Sequence, residues 1–258
     1  MKTTILLFIL LFSENIFAQK TEKPPTEINA FISAGFEVLD FAKGDINNDK
    51  LADYVLVCKS KKEGEDGGLP RPMLLILQDA NKKYKVAKRS DQSIMCAGCG
   101  GVMGDPFSGI EIKDGNFSIQ HYGGSSWRWS KDATFRFDGK NNWVLSNEKN
   151  ITFHASEPEK TTREYSIPES EFLLPKTIDN YTGEDEGQVS NWKVKAEKTY
   201  FHSQTDEKTA RKAYLLKGNI IETFVETKNF IWVEYPKTDE FKRGTLGFIL
   251  KKDLIKMK

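Results

Sequence analysis

The stretch Gly44-Asp45-Ile46-Asn47-Asn48-Asp49-Lys50-Leu51-Ala52-Asp53, followed at once by Tyr54-Val55-Leu56-Val57-Cys58, decides how this chain folds. Its second half carries no polar residue. Successive side chains of a strand point to opposite faces, so a run without alternation belongs to a strand buried on both sides. Leu74-Leu75-Ile76-Leu77 repeats the pattern. The first half is a tight loop with Asp45, Asn47, Asp49 and Asp53 at positions 1, 3, 5 and 9. Alternate side chains of such a loop point inward, and the carbonyl of Leu51 at position 7 adds another oxygen. Oxygen-only ligands suit Ca²⁺, which takes about six to eight of them. The same residues also build a metal-free turn, because Asp and Asn side chains bond their own backbone. Both readings stand at this point. Position 12 is Leu56, where an EF-hand needs a bidentate Glu, and a strand rather than a helix follows.

With its following strand, the loop resembles the calcium loop of FG-GAP or VCBS-type repeats, the blades of integrin-like β-propellers. The resemblance implies a loop joining two strands and a structural calcium held by Asp45, Asn47, Asp49, Leu51 and Asp53. Three carboxylates in an exposed loop predict weak affinity, on the order of 10⁻⁴–10⁻³ M. Lys50 stands where that family has Gly, and only one such loop occurs, so a complete propeller is not expected.

Outward from the loop, short strand-like runs dominate: Glu37–Phe41, Asp53–Lys59, Met73–Gln78, Tyr84–Lys88, Ile110–Lys113, Phe117–Tyr122, Trp127–Trp129, Thr134–Phe137 and Trp143–Ser146. Asp114-Gly115-Asn116 and Asp138-Gly139-Lys140-Asn141-Asn142 are hairpin turns. No window carries a helical stripe. Residues 30–155 therefore predict an antiparallel, blade-like β-meander.

Two segments within it concentrate chemistry. Cys96-Ala97-Gly98-Cys99, set among glycines, admits a local disulfide, two free thiols, a redox pair or half a zinc site. The third cysteine, Cys58, reads as a small buried hydrophobe. His121-Tyr122-Gly123-Gly124-Ser125-Ser126-Trp127-Arg128-Trp129 puts Trp127 and Trp129 on one strand face and Arg128 on the other. These residues with His121 could line a pocket in which Trp stacks on a sugar or peptide; equally, paired Trp fill cores and glycines mark crowded strands. Ser125 or Ser126, His121 and Asp105 supply triad residue types, but no G-x-S-x-G elbow accompanies them, so no catalytic residue is expected. Together with Gly104-Asp105-Pro106-Phe107, these segments resemble a series found in exported bacterial proteins, which implies no activity.

Residues 156–190 hold a net charge of −6 and three prolines and read as an acidic linker; residues 191–258 hold +6. The overall +1 is a cancellation between them. The basic end is again strand-like, over Trp192–Ala196, Ala213–Leu216, Ile220–Thr223, Ile231–Glu234 and Leu246–Ile249, with a turn at Lys217-Gly218-Asn219. Lys198-Thr199-Tyr200-Phe201, Ala213-Tyr214-Leu215-Leu216-Lys217-Gly218-Asn219, Phe230-Ile231-Trp232-Val233-Glu234-Tyr235 and Gly247-Phe248-Ile249-Leu250-Lys251-Lys252-Asp253-Leu254 follow one another in the order and spacing of a bacterial SH3-like (SH3b) domain. The resemblance implies a small β-barrel, with Trp232 and Tyr235 as candidate ligand contacts and cell-wall peptide or an envelope protein as partner. The expected fold class is thus all-β throughout.

At the amino terminus, Lys2 precedes an apolar run from Ile5 to Phe12, and Ala18 suits cleavage. Residues 1–18 read as a signal peptide and 19–29 as a flexible lead-in, which predicts export to a periplasm or beyond the cell. The apolar run is shorter than the roughly 20 residues a membrane helix needs. Near-neutral charge argues against nucleic acid, whose binding rests on displacing counterions from phosphates. The composition and motifs favour a non-enzymatic binding protein. Thiol oxidoreduction through Cys96 and Cys99, or a purely structural envelope role, are the alternatives.

Overall fold

The computed structural model describes residues 23–64, 68–183, 189–236 and 244–257. The expected signal peptide and residues 19–22 of the lead-in lie outside them. The chain is all-β, and among the described residues every strand pairing is antiparallel. No helix among the described residues is long and apolar enough to cross a membrane.

Strands β1 (Phe36–Gly44), β2 (Asp53–Ser60), β3 (Met73–Gln78) and β4 (Tyr84–Ser90) form a meander in sequence order. β5 (Phe107–Lys113), β6 (Asn116–Gly124), β7 (Trp127–Phe137), β8 (Trp143–His154) and β9 (Arg163–Pro168) form a second. The two sheets share one core. Val55, Val57, Met73 and Leu75 of the first meet Phe117, Ile119, Phe135 and Leu145 of the second, and all are fully buried. At the Asp-rich end the Trp143 indole donates to the Ile46 carbonyl at 2.7 Å. The Asp114-Gly115 turn is formed as expected, with φ of +52° and +75°, the mirror-image geometry a two-residue hairpin needs.

The double-sided burial expected of β2 and β3 holds, and the cover on the second face is an unexpected one. Residues Thr26–Phe31 form a 3₁₀ turn whose Ile28 is fully buried against Tyr54, Leu56, Cys58, Leu74 and Ile76. The Tyr54 hydroxyl donates to Glu27 Oε1 at 2.8 Å. From Thr26 onward the lead-in is therefore a packed part of the domain. Burying a side chain of this size stabilises by about 1.5–3 kcal/mol.

The acidic stretch 156–190 is likewise no spacer. It supplies α1 (Pro158–Thr161), the edge strand β9 paired to β8, and Ile178 and Tyr181 in the sandwich core. Its prolines obey strand rules: Pro158 opens the helix and Pro168 closes an edge strand, where no ladder donor is lost. Glu164 and Glu169 form ion pairs with Lys149 and Arg136. Trp127–Trp129 and Thr134–Phe137, expected as separate strands, are one continuous β7, its polar middle paired on both sides.

The C-terminal module holds β10 (Ser190–Val194), β11 (Lys198–His202), β12 (Ala210–Leu216), β13 (Ile220–Thr223), β14 (Phe230–Tyr235), β15 (Thr245–Leu250) and β16 (Leu254–Lys256). They make a three-stranded sheet, β13-β10-β16, and a four-stranded sheet, β12-β11-β15-β14. Both close on one small core that includes Trp192, Phe201, Ile231, Val233 and Ile249. Gly218, at φ +91°, turns the chain between β12 and β13.

Candidate functional site

The inner face of the second sheet runs on past the sandwich core. Strand register places Trp129, Thr152 and Arg163 in one row across β7, β8 and β9. Lys131, Asn150 and Tyr165 form the next row, and Ala133, Glu148 and Ile167 the third. Ala133 belongs to the core, so directly opposed residues in these rows look the same way. The C-terminal module leans over this floor. Trp232 lies 5.3 Å from the Tyr165 ring and 5.0 Å from Phe248.

Between floor and module is a cavity of about 830 Å³, lined by Trp129, Lys131, Asn150, Tyr165, Phe224 and Trp232 among others. Trp129 and Trp232, candidates from opposite halves of the sequence, thus share one site. The Cys96–Cys99 disulfide is formed, and Cys99 borders the cavity. Lys131 Nζ donates to the Gly183 carbonyl at 3.1 Å. The glycines make room for Trp129: a Cβ on Gly123 would stand 2.6 Å from its ring and 2.9 Å from Gly100 Cα. Crowding, not ligand approach, explains the Gly123-Gly124 pair.

The remaining candidates lie elsewhere. His121 is buried inside the sandwich, where Nε2 accepts from the Met95 amide at 3.2 Å, and Nδ1 has no partner among the described residues. Burial first, then the charges of Lys131 and Arg71, lower its pKa to about 4. It lines neither the cavity nor a triad: Asp105 is bound by Arg71 instead. Trp127 meets His154 edge-on at 5.4 Å and carries the Arg163 guanidinium 4.9 Å above its ring. Arg128 is on the opposite face, with Nη1 buried and unpartnered among the described residues. Tyr235 packs on the small C-terminal core.

Three residues that hold the molecule in shape left almost no signal in the linear pattern. Arg71, almost wholly buried, spends all five of its N–H donors. They reach Glu63 at 2.6 and 2.9 Å, Asp105 at 2.7 and 2.6 Å, and the Met95 carbonyl at 3.1 Å. Burial works to lower its pKa, but the bonds to Asp105 and Glu63 outweigh it and the net shift is upward. Arg163 crosses the seam, with Nε 2.6 Å and Nη2 3.1 Å from the Glu234 carboxylate. Glu171 accepts from the Thr227 hydroxyl and from both the amide and the side chain of Asn229, at 2.8–2.9 Å. The only sequence trace of the Arg163 contact is the alternation Arg163, Tyr165, Ile167 along β9.

The Asp-rich loop brings carboxylate oxygens of Asp45, Asp49 and Asp53 within 4.8 Å of one another. Asp45 Oδ1 accepts from the Asn48 amide at 2.7 Å and Oδ2 from the Lys50 amide at 2.8 Å. Asp49 accepts from the Leu51 amide and the Asn47 side chain, at 2.8 and 2.9 Å. Asp53 is fully buried and accepts from the amides of Gln78 and Ile46, at 2.9 and 3.1 Å. Burial pushes its carboxyl up to about 6; those amides oppose the rise, and the charges of Asp49 and Asp45 add to it. Lys50 takes the left-handed backbone expected of Gly, at φ +69°. The donor set and spacing fit a hard cation such as calcium, whose charge would relieve the repulsion among these three carboxylates.

No protein-family model matches the chain, and neither does any curated protein or solved structure.

Proposed function

We propose that this chain is an exported, non-catalytic binding protein that takes a cell-wall peptide in the cleft between its two halves, on a scaffold whose Asp-rich loop holds a structural calcium. The observation that carries the reading is the meeting of Trp129 and Trp232 in one cavity. Flat aromatic walls with amide and hydroxyl groups between them (Asn150, Thr152) suit an extended peptide, whose backbone needs hydrogen bonds and whose side chains need apolar contact. The C-terminal module supplies one wall, in keeping with its SH3-like resemblance.

Titrating the mature chain with soluble cell-wall peptides while following tryptophan emission tests this. Trp129→Ala and Trp232→Ala should each weaken binding about tenfold or more. An unchanged emission, or binding indifferent to both substitutions, would overturn it. A second reading, thiol–disulfide exchange, is favoured by the position of Cys99 on the cavity wall. It requires the chain to reduce insulin in a Cys96-dependent way.

A further inference from the structure

Next to the cleft, across Tyr165 and Phe224, lies a second groove of about 880 Å³. Its walls are mostly apolar: Ile167, Phe172, Leu173, Leu174, Val189 and Phe224. Leu174, Val189 and Phe224 are more than half exposed, an unusual concentration for a surface otherwise rich in charge. Of the three carboxylates that line it, Glu148, Glu171 and Glu226, one stands apart. Glu148, on β8, is about nine-tenths buried. Its Oε1 accepts from the Asn150 side chain at 3.1 Å, and its Oε2 is buried with no hydrogen-bond partner among the described residues.

The groove's other charges are committed. Lys256 pairs with Glu226 at 2.8 Å, and Lys176 lies over the Phe172 ring. Glu171 is satisfied by Thr227 and Asn229. Burial pushes the Tyr165 phenol up, and the charge of Glu148 adds to it. A buried carboxylate oxygen without a donor costs free energy that a charged donor recovers.

We propose that Glu148 is a subsite for a primary ammonium: the groove takes the amine-bearing side chain of the bound peptide, its methylenes on the apolar wall and its –NH₃⁺ on Oε2. The inference rests on the cleft reading and extends it. Asn150 lines the cleft, Glu148 lines the groove, and the two sit two residues apart on one face of one strand, joined by a hydrogen bond. A peptide following β8 would pass from one to the other.

The test uses a lysine-ended cell-wall stem tripeptide with its side-chain amine either free or acetylated, titrated calorimetrically into the full mature chain. The free amine should bind about tenfold tighter or more, and Glu148→Gln should remove the difference by weakening the free-amine peptide. Glu148→Asp keeps the charge one methylene further back and should shrink the preference; it carries the test if the glutamine variant fails to fold. Equal affinity of the two peptides for the unmodified chain overturns the ammonium subsite and leaves the cleft standing. A preference undiminished in a folded variant overturns the role of Glu148. Binding of neither peptide overturns both subsite and cleft.

Discussion

Two arginines do comparable jobs in different surroundings. Arg71, itself almost wholly buried, ties the β2–β3 connection to the stretch between β4 and β5 through two carboxylates and a carbonyl. Arg163 ties the sandwich to the C-terminal module from a mostly buried seam, where it and its one carboxylate partner among the described residues keep 20% and 18% of their side-chain surface in water, with an indole beneath it. Breaking the first strands Glu63 without water to replace its partner. Breaking the second lets water in. The expectation is that the seam, which keeps some contact with water, yields before the enclosed network does.

The largest expected effect lies at the first arginine. Arg71→Ala should destabilise the chain by about 3–5 kcal/mol, the usual cost of orphaning a buried charge, measured by urea unfolding. A loss similar to that of the seam variant would erase the contrast. Next comes His121, whose depressed pKa makes the same enclosed region acid-sensitive. The unfolded state binds a proton near 6.5 and the folded state only near 4. Stability from this group is full above about pH 6.5 and drains as the pH falls toward 4, by about 3 kcal/mol. His121→Gln should flatten that part of a pH series; an unaltered profile would place the sensitivity elsewhere. Calcium comes third. At tenfold excess over its dissociation constant it should add about 1.4 kcal/mol, visible as a raised thermal midpoint. Asp49→Ala should abolish the rise, and no rise at all would dismiss the cation. Last is Arg163→Ala, at about 1 kcal/mol, because Glu234 keeps some surface through which water can replace the lost partner. Its signature is faster hydrogen exchange in β9 and β14 with the sandwich core unchanged. Protection lost across the whole chain would mean that the seam is as rigid as the sandwich.

What could be read from the linear chain was what repeats at short range. β2 and β3 declared their double burial through unbroken apolar runs, and Asp114-Gly115 its turn through residues that tolerate positive φ. The Asp45–Asp53 convergence followed from spacing alone. Long-range pairing left no such mark. Ile28 is one apolar residue in a polar, proline-bearing stretch, and only the uncovered face of β2 gives it a destination. β9 hid behind prolines and acids because an edge strand tolerates both. The cleft needed Trp129 and Trp232, over a hundred positions apart, to meet; register on one side and the seam on the other bring that about.

The 3₁₀ turn over the first sheet has one more consequence. Beneath it, in the same cluster as Ile28, lies the free thiol of Cys58, which burial pushes up to about 11. A thiol so placed reacts only when its cover lifts. Its labelling rate therefore serves as a built-in clock for the undocking of residues 26–31, readable without placing any probe on the chain.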